Sequence, residues 1–518
     1  MNIGDITSLN AFRRPRADAI VDVTTSRRIP FQALDERVNR LAHSMRQVLG
    51  LNQGDRVAIL SRNCIEYAEI FFAAAKSGTV AQPLNWRLSP EEMGRILRDG
   101  DPAVVIFNQE FDKEVEELQR QVDIPSWVSF RPGEPSPYEE LLERGSPEEP
   151  EWTAKIGDYD PFFILYTGGT TGTPKGVLHS HRSAFMSMIN QTVAERVAPT
   201  DVYMLLGQMF HIPVVLAMNY LYHGCPLVLM NFEPRTTLEV IEQEKVSAFL
   251  GITTMLNYMM AVPEFHRFDL SSLRIIQYGG GPMPEAVVRE ALEKFPCDLM
   301  QGYGQTEGGT MTFLAPQVHR DALAGIAPHR LRSCGREAHL TRVRIVNEDG
   351  SPTPRDGKAV GEIVVKSEAN MLGYWRKPEL TAETIRDGWM RTGDLATWDE
   401  DGFVYIVDRA KDMIISGGEN IYPAQVEEAI YKHPAVLEAA VIGVPDDVWG
   451  EAVKAIVVLK PGMSATAEDI IEVTRKHLAS YMKPKSVDFV DSLPKGPTNK
   501  VLKRELRRRY WEGRDRQV

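Results

Sequence analysis

The 518-residue chain has little cysteine: Cys64, Cys225, Cys297 and Cys334 stand far apart and form no CxxC pair. That excludes a disulfide framework and a zinc cage of paired thiolates, and it fits a reducing compartment. Positive charge is also in deficit. Against 71 Asp and Glu there are 59 Lys and Arg, a formal net charge of -12. A body of that sign is a poor partner for nucleic-acid phosphates. The N-terminus lacks the apolar core of a signal peptide, and no repeat of solenoid or propeller period is visible. Long hydrophobic runs are nearly missing as well. Residues 212–230 come closest, but Asn219, His223 and Gly224-Cys225-Pro226 interrupt them. A buried helix, a turn and a strand are expected there instead of a membrane span. What remains is ordinary globular usage, 43% hydrophobic and 25% charged. It suits two to four compact units of a soluble, cytoplasmic protein.

The first part of the chain alternates helical and strand signals. Residues 31–49 carry Leu34, Val38, Leu41, Ala42 and Met45 at helical spacing. Gly54-Asp55 leads into an apolar run at 56–60, Asn63 is placed to cap a helix through Lys76, and Gly78 leads into a strand at 79–83. Strand, helix, strand at this spacing is a βαβ unit and implies a mainly parallel sheet. The rhythm returns at 103–108, 227–230 and 273–279, whereas the Pro-, Glu- and Ser-rich segment 130–150 reads as a surface connection. After residue 340 short alternating runs at 342–346 and 361–365 suggest a small barrel-like subdomain. From Lys411 onward, helices at 424–433 and 467–478 alternate with strands at 437–442 and 452–459, enough for a small α+β domain. The expected fold is therefore α/β, with a large N-terminal domain (1–410) and a small C-terminal one (411–518).

One loop stands out chemically, Tyr166-Thr-Gly-Gly-Thr-Thr-Gly-Thr-Pro-Lys-Gly176, which follows an apolar strand at 162–166 and precedes a helical stretch from about Ser183. Gly168, Gly169, Gly172 and Gly176 let backbone N–H groups approach an anion. Thr167, Thr170, Thr171 and Thr173 add hydroxyls, and Lys175 adds a charge. Phosphate binding is the expectation, although Pro174-Lys175-Gly176 is not the Gly-Lys-Ser/Thr ending of a P-loop. Gly279-Gly280-Gly281 follows another apolar strand, where an open α/β sheet admits ligands and glycine permits close approach of a base or an acyl chain. Tyr303-Gly304-Gln305-Thr306-Glu307 gathers an aromatic face, a hydroxyl and a carboxylate.

The loop at 166–176 closely resembles the signature of the adenylate-forming superfamily, which comprises acyl- and aryl-CoA synthetases, nonribosomal peptide adenylation domains and firefly-type luciferases. Four more segments resemble that family in the same order: Tyr278–Gly281, Tyr303–Glu307, Arg391-Thr-Gly-Asp394 with Asp408-Arg409, and Pro494-Lys-Gly-Pro-Thr-Asn-Lys500. The resemblance covers nearly the whole chain. It implies that the 166–176 loop binds ATP phosphates and that Tyr303 and Gly304 meet adenine. Thr306 would contact the α-phosphate, Glu307 would hold Mg²⁺, and Asp394 and Arg409 would hold the ribose. A single carboxylate suits a hard cation that phosphates also ligate. Lys500 would neutralise charge while the substrate carboxylate attacks the α-phosphorus. Asn499 replaces the glycine common before that lysine. By the same resemblance His211 gates the carboxylate pocket, which also draws on Gly251, Thr253 and Gly281, and Lys411 is the hinge of a mobile C-terminal domain. His179 and His181 have a structural role in the family and are assigned no metal.

Three features favour a CoA ligase within the family. Residues 415–423 resemble the acyl/aryl-CoA ligase form of their loop, in which Gly417 and Gly418 border the pantetheine tunnel. Trp449 matches an aromatic residue of that tunnel. Ile212-Pro213-Val214-Val215 offers no carboxylate for the ammonium of an amino acid, and an unpaired ammonium in an apolar pocket is costly. The implied reaction consumes a carboxylic acid, ATP and CoA and gives acyl-CoA, AMP and pyrophosphate through an acyl-AMP. A medium- or long-chain fatty acid is the expected acid, with an aryl, cyclic or short modified acid as the alternative. A non-catalytic nucleotide-binding protein is the reading from another class, set against the joint presence of Glu307, Asp394, Arg409 and Lys500. The basic tail (Lys503, Arg504, Arg507, Arg508, Arg509, Arg514, Arg516) leaves a weak peripheral membrane contact open, and a homodimer is open as well.

Overall fold

A computed structural model describes residues 2–167, 174–281, 283–409, 412–417, 419–446, 448–496 and 501–512. The chain divides into two compact units, one of residues 1–343 and 365–390 and the other of residues 344–364 and 391–518. Lys411, where the sequence suggests a boundary, lies outside the described residues.

The first unit is built on two sheets. The nine-stranded one runs in the order Arg336–Glu337, Gly309–Leu314, Asp298–Gln305, Ile275–Gly279, Ala248–Gly251, Tyr203–Leu205, Leu227–Leu229, Asp18–Asp22, Arg27–Pro30. Its middle is parallel and its two ends are antiparallel. The seven-stranded one runs Gly373–Tyr374, Lys175–Ser180, Pro161–Thr167, Val80–Pro83, Arg56–Leu60, Val104–Asn108, Ser126–Phe130. Its strands are apolar runs such as Val-Val-Ile-Phe at 104–107, as expected where helices cover both faces.

One core cluster takes side chains from both sheets and from helices Phe31–Gln47, Ile65–Ser77, His181–Glu195 and Pro213–Tyr222, so these helices form a layer between the sheets. Ile65–Ser77 is apolar nearly all round and buried along its whole length, the pattern of a helix enclosed by protein. Separate clusters cover the outer faces of the two sheets. The apolar stretch 212–230 is the helix Pro213–Tyr222, a turn at Gly224 with φ +74° and the strand Leu227–Leu229. No helix among the described residues is long and apolar enough to cross a membrane.

Two local expectations change. Asn63 does not cap the helix at 65, whose N-cap Cys64 makes no side-chain bond. Asn63 instead holds a distant loop, accepting from Met209 N at 2.9 Å and donating to Gly207 O at 2.8 Å. The segment 130–150 is more than a surface connection. It contains the helix Pro137–Glu143, with Tyr138, Leu141 and Leu142 buried. Tyr138 Oη donates to the buried Glu69 at 2.8 Å, and Arg37 bridges Glu69 and Glu139. A composition rich in Pro and Glu hid a short helix with three buried side chains.

The second unit carries a five-stranded sheet in the order Glu419–Ile421, Ile414–Ser416, Gly450–Leu459, Val436–Asp446, with Ser486–Phe489 parallel to Gly450–Leu459. Helices Pro423–Ile430 and Ala467–His477 cover it as the periodicity predicts. In the same unit the part of strand Trp389–Trp398 from Asp394 onward pairs antiparallel with Val404–Arg409. The short strands expected after residue 340 are Thr341–Val346 and Gly361–Ser367.

Candidate active site

In the first unit, the Gly- and Thr-rich loop joins two antiparallel strands. Tyr166 is opposite Gly176 and Thr167 opposite Lys175, so the flanking strands pair directly and the helix starts only at His181. The sequence reading of a strand, a loop and then a helix near 183 missed the strand Lys175–Ser180. Its Val177-Leu178 pair extends the sheet before Ser180 opens the helix with a capping box on Ser183. Gly168, Gly169, Thr170, Thr171, Gly172 and Thr173 lie outside the described residues.

Lys175 Nζ lies 5.6 Å from the centre of the Tyr374 ring, and Tyr374 Oη donates to Glu307 Oε1 at 2.9 Å. Ammonium, phenol and carboxylate thus form one line. The strand Gly373–Tyr374 is held in place by pairing with Val177 and Leu178, and Met371 N donates to Glu307 O at 2.7 Å. Burial, then the Glu307 charge and its hydrogen bond, raise the pKa of the Tyr374 phenol and keep it a donor.

His179 fixes the turn that carries Thr306 and Glu307. Its Nε2 is 2.7 Å from Thr306 O, and because a carbonyl can only accept, Nε2 carries the proton. Its Nδ1 is then the acceptor for Ser183 Oγ at 3.0 Å, and its ring stacks on Phe163 at 4.9 Å. Burial lowers its pKa to about 4, which keeps it neutral. His181 points elsewhere, accepting from Ile3 N at 3.1 Å and stacking on Phe162. Thr306 is buried and Tyr303 half-buried. At Gly304 the strand shifts register, and a Cβ would sit 2.0 Å from Gly309 O, so only glycine fits.

The acyl-pocket candidates also converge. Tyr203–Leu205, Ala248–Gly251 and Ile275–Gly279 are neighbouring parallel strands. Their carboxyl ends lead to His211, to Gly251 with Thr253, and to Gly279, Gly280 and Gly281 respectively. This is the end of a parallel sheet where ligands bind. Gly279 must be glycine, since a Cβ would meet Gly302 O at 2.3 Å, whereas Gly280 and Gly281 face open space. His211 is half-buried in the loop before helix Pro213–Tyr222. That loop is held by Asn63 and by Trp86 Nε1, which donates to Gln208 at 2.9 Å.

In the second unit Asp394 is buried in a strand, and Arg409 faces it in register with Nε 3.2 Å from Oδ1. Gly417 N donates to Trp449 O at 2.8 Å. Trp449 is 50% exposed and is no core residue; its ring has Lys485 Nζ at 5.0 Å. Gly418 and Lys500 lie outside the described residues. Within the basic tail Lys503 pairs with Glu427 at 2.7 Å, Arg507 with Asp412, and Arg509 is 3.8 Å from Asp488. Those three charges are engaged inside their own unit, while Arg514 and Arg516 lie outside the described residues. Tyr374 and the role of His179 were not read from the sequence. A lone tyrosine after glycine and a histidine in an apolar strand carry no local signal for a partner that folding alone supplies.

Comparison with known proteins shows the family. The family described as AMP-binding enzyme matches residues 8–375, and the AMP-binding enzyme C-terminal domain matches residues 425–500. A long-chain-fatty-acid–CoA ligase of Mycobacterium tuberculosis is 36% identical over 514 residues, covering 98% of both chains. A feruloyl-CoA synthase of Amycolatopsis is 37% identical over 501 residues, covering 96% of both. Among solved structures, ATP-bound MatB of Rhodopseudomonas palustris matches with a TM-score of 0.87 at 27% identity and covers 99% of both chains.

Proposed function

The chain belongs to the AMP-binding enzyme family, and from that premise we propose that it is an AMP-forming acid–thiol ligase which joins a medium- or long-chain fatty acid to coenzyme A through an acyl-adenylate. The observation that carries this reading is the line Lys175–Tyr374–Glu307, which sets an ammonium and a carboxylate beside a loop rich in glycine and hydroxyls. Such a pair suits a polyphosphate with its cation. Glu307 fits Mg²⁺: Tyr374 orients one carboxylate oxygen, and a hard cation that phosphates also ligate needs few protein ligands. When bound, the ion would neutralise phosphate charge.

Each residue then has a task. Lys175 and the loop hydroxyls hold the phosphates, and Thr306 meets the α-phosphate from a turn fixed by His179. Tyr303 offers its face to adenine above the close-packed Gly304, and Asp394 with Arg409 takes the ribose hydroxyls. His211, Gly251, Thr253 and Gly279–Gly281 border the acid. Lys500 neutralises charge as the carboxylate oxygen bonds to the α-phosphorus and pyrophosphate leaves. The CoA thiol then attacks the acyl carbon, guided past Gly417, Gly418 and Trp449, and AMP leaves. Lys500 serves the first step alone, so the domain that begins at Lys411 turns about that residue between steps. A cytoplasmic location supplies ATP and CoA. Membrane contact through the tail and a homodimer remain secondary proposals.

The test is acid-dependent ATP–pyrophosphate exchange without CoA, followed by AMP release on adding CoA. Exchange with no CoA-dependent release would move the protein to another branch of the family. Absence of both with every acid would leave only a nucleotide-binding protein.

A further inference from the structure

The loop that carries His211 leaves the carboxyl end of Tyr203–Leu205 in the nine-stranded sheet, but the side chains that fasten it come from the other sheet. Asn63 lies just after the strand Arg56–Leu60, and Trp86 just after the adjacent parallel strand Val80–Pro83, so both stand at carboxyl ends of the seven-stranded sheet. Asn63 pairs with the loop much as one strand pairs with another. Its Nδ2 donates to Gly207 O at 2.8 Å, and its Oδ1 accepts from Met209 N at 2.9 Å. Between these two residues Gln208 is held by its side chain, whose Oε1 accepts from Trp86 Nε1 at 2.9 Å. The Trp86 ring is packed in turn, with the guanidinium of Arg62 4.1 Å and that of Arg87 4.9 Å from its centre.

The backbone of Gln208 then begins the turn that presents the histidine, because His211 N donates to Gln208 O at 3.1 Å. Met209 and Phe210 are buried, whereas His211 is half-buried. The clamp therefore anchors residues 207–210 and sets the path of the next one. Asn63 itself is only 6% exposed. Without its amide, Gly207 O and Met209 N lose their partner and regain one in water only if the loop moves outward. We propose that Asn63 and Trp86 are positioning residues for the acid: acting through His211, they hold the entrance of the carboxylate pocket in its binding geometry. One sheet thus sets the affinity of a site built on the other. The inference rests on the acid–thiol ligase reading, with His211 at the carboxylate end of the acid. That end is common to all acids, so the clamp acts on them irrespective of tail length, and ATP, assigned to other loops, is untouched.

Acid-dependent ATP–pyrophosphate exchange tests it, with two homologous acids that the native protein turns over, octanoate and dodecanoate first. Asn63→Ala is expected to raise KM for both acids by the same factor, about tenfold, while KM for ATP changes less than about twofold. Trp86→Phe keeps a ring and removes only the donor, and is expected to raise KM for the acids about threefold. It carries the test should a melting curve show that Asn63→Ala does not fold. In a His211→Ala background each substitution is expected to add less than about twofold, because the group it positions is gone. Support of the fold alone would lower the active fraction and leave every KM as it was. An unchanged KM for the acids, a rise shared by ATP, a rise that differs between the two acids, or a full effect in the His211→Ala background overturns the proposal and leaves the ligase reading standing. No exchange by the native protein with any carboxylic acid would instead refute the ligase reading, and this proposal with it.

Discussion

Replacing His179 by glutamine probes how the turn bearing Thr306 and Glu307 is held. Glutamine can still donate to Thr306 O, but it does not titrate and cannot stack on Phe163. At pH 7.5 the loss of the ring and of its bond to Ser183 is expected to cost about 1–2 kcal/mol. The pH dependence isolates the histidine. Burial lowers its folded pKa to about 4 from the ordinary 6.5. The unfolded chain therefore takes up a proton below pH 6.5 that the folded chain refuses. A depressed histidine pKa contributes stability that is present at neutral pH and lost as pH falls from about 6.5 toward 4. At pH 5, roughly 1.5 pH units into that window, the loss is about 2 kcal/mol. The native protein's advantage over the variant should thus fall by about 2 kcal/mol between pH 7.5 and pH 5, enough to vanish or change sign. His181 and His319, also lowered to about 4, titrate in both proteins and cancel. So does Glu195, which burial raises to about 7 and whose contribution has the opposite sign, lost as pH rises through 7. Urea unfolding followed by circular dichroism at both pH values measures the gap. A gap that stays constant would refute the neutral, enclosed imidazole and with it the account of how the turn is fixed.

Other expectations follow from single contacts. Tyr374→Phe removes the hydrogen bond to Glu307 and should lower pyrophosphate exchange about tenfold while raising the Mg²⁺ concentration needed for half-maximal rate; an unchanged Mg²⁺ titration would count against it. Lys500→Ala should reduce exchange by about 10²–10³-fold yet still convert supplied acyl-AMP and CoA to thioester, whereas equal loss of both steps removes the assignment. Lys411→Pro should keep exchange and lose thioester formation, and normal overall turnover would remove the hinge. Gly417→Ala places a Cβ 2.3 Å from Trp449 Cε3 at φ +61°. It should raise the KM for CoA with exchange intact, and an unaltered KM would take the Gly417–Trp449 contact out of the CoA path.

The line from Lys175 to Glu307 shows how much of the site was legible beforehand. Both ends lie in short segments whose residue types advertise phosphate chemistry, and Asp394 and Arg409 were likewise named from the sequence. Their connection was not visible, because Tyr374 stands about 70 residues beyond Glu307 and meets it only through pairing with the strand after the phosphate loop. Helix boundaries in the second unit followed apolar periodicity closely. The strand Lys175–Ser180 did not, since Lys-Gly-Val-Leu-His-Ser has no strict alternation and is extended only because a partner strand is present.

The sequence by itself determined the parallel α/β architecture, the phosphate loop, the chemically equipped segments and the family, because each depends on residue type and local spacing. Tertiary structure alone decided which polar groups meet. It made His179 the neutral prop of the Thr306 turn, turned Asn63 from a helix cap into a brace for the His211 loop, and set Gln191 against Gln277 inside the core. The physical reason is common to all three: a buried hydrogen bond is specified by two groups far apart in sequence, and neither group alone announces its partner.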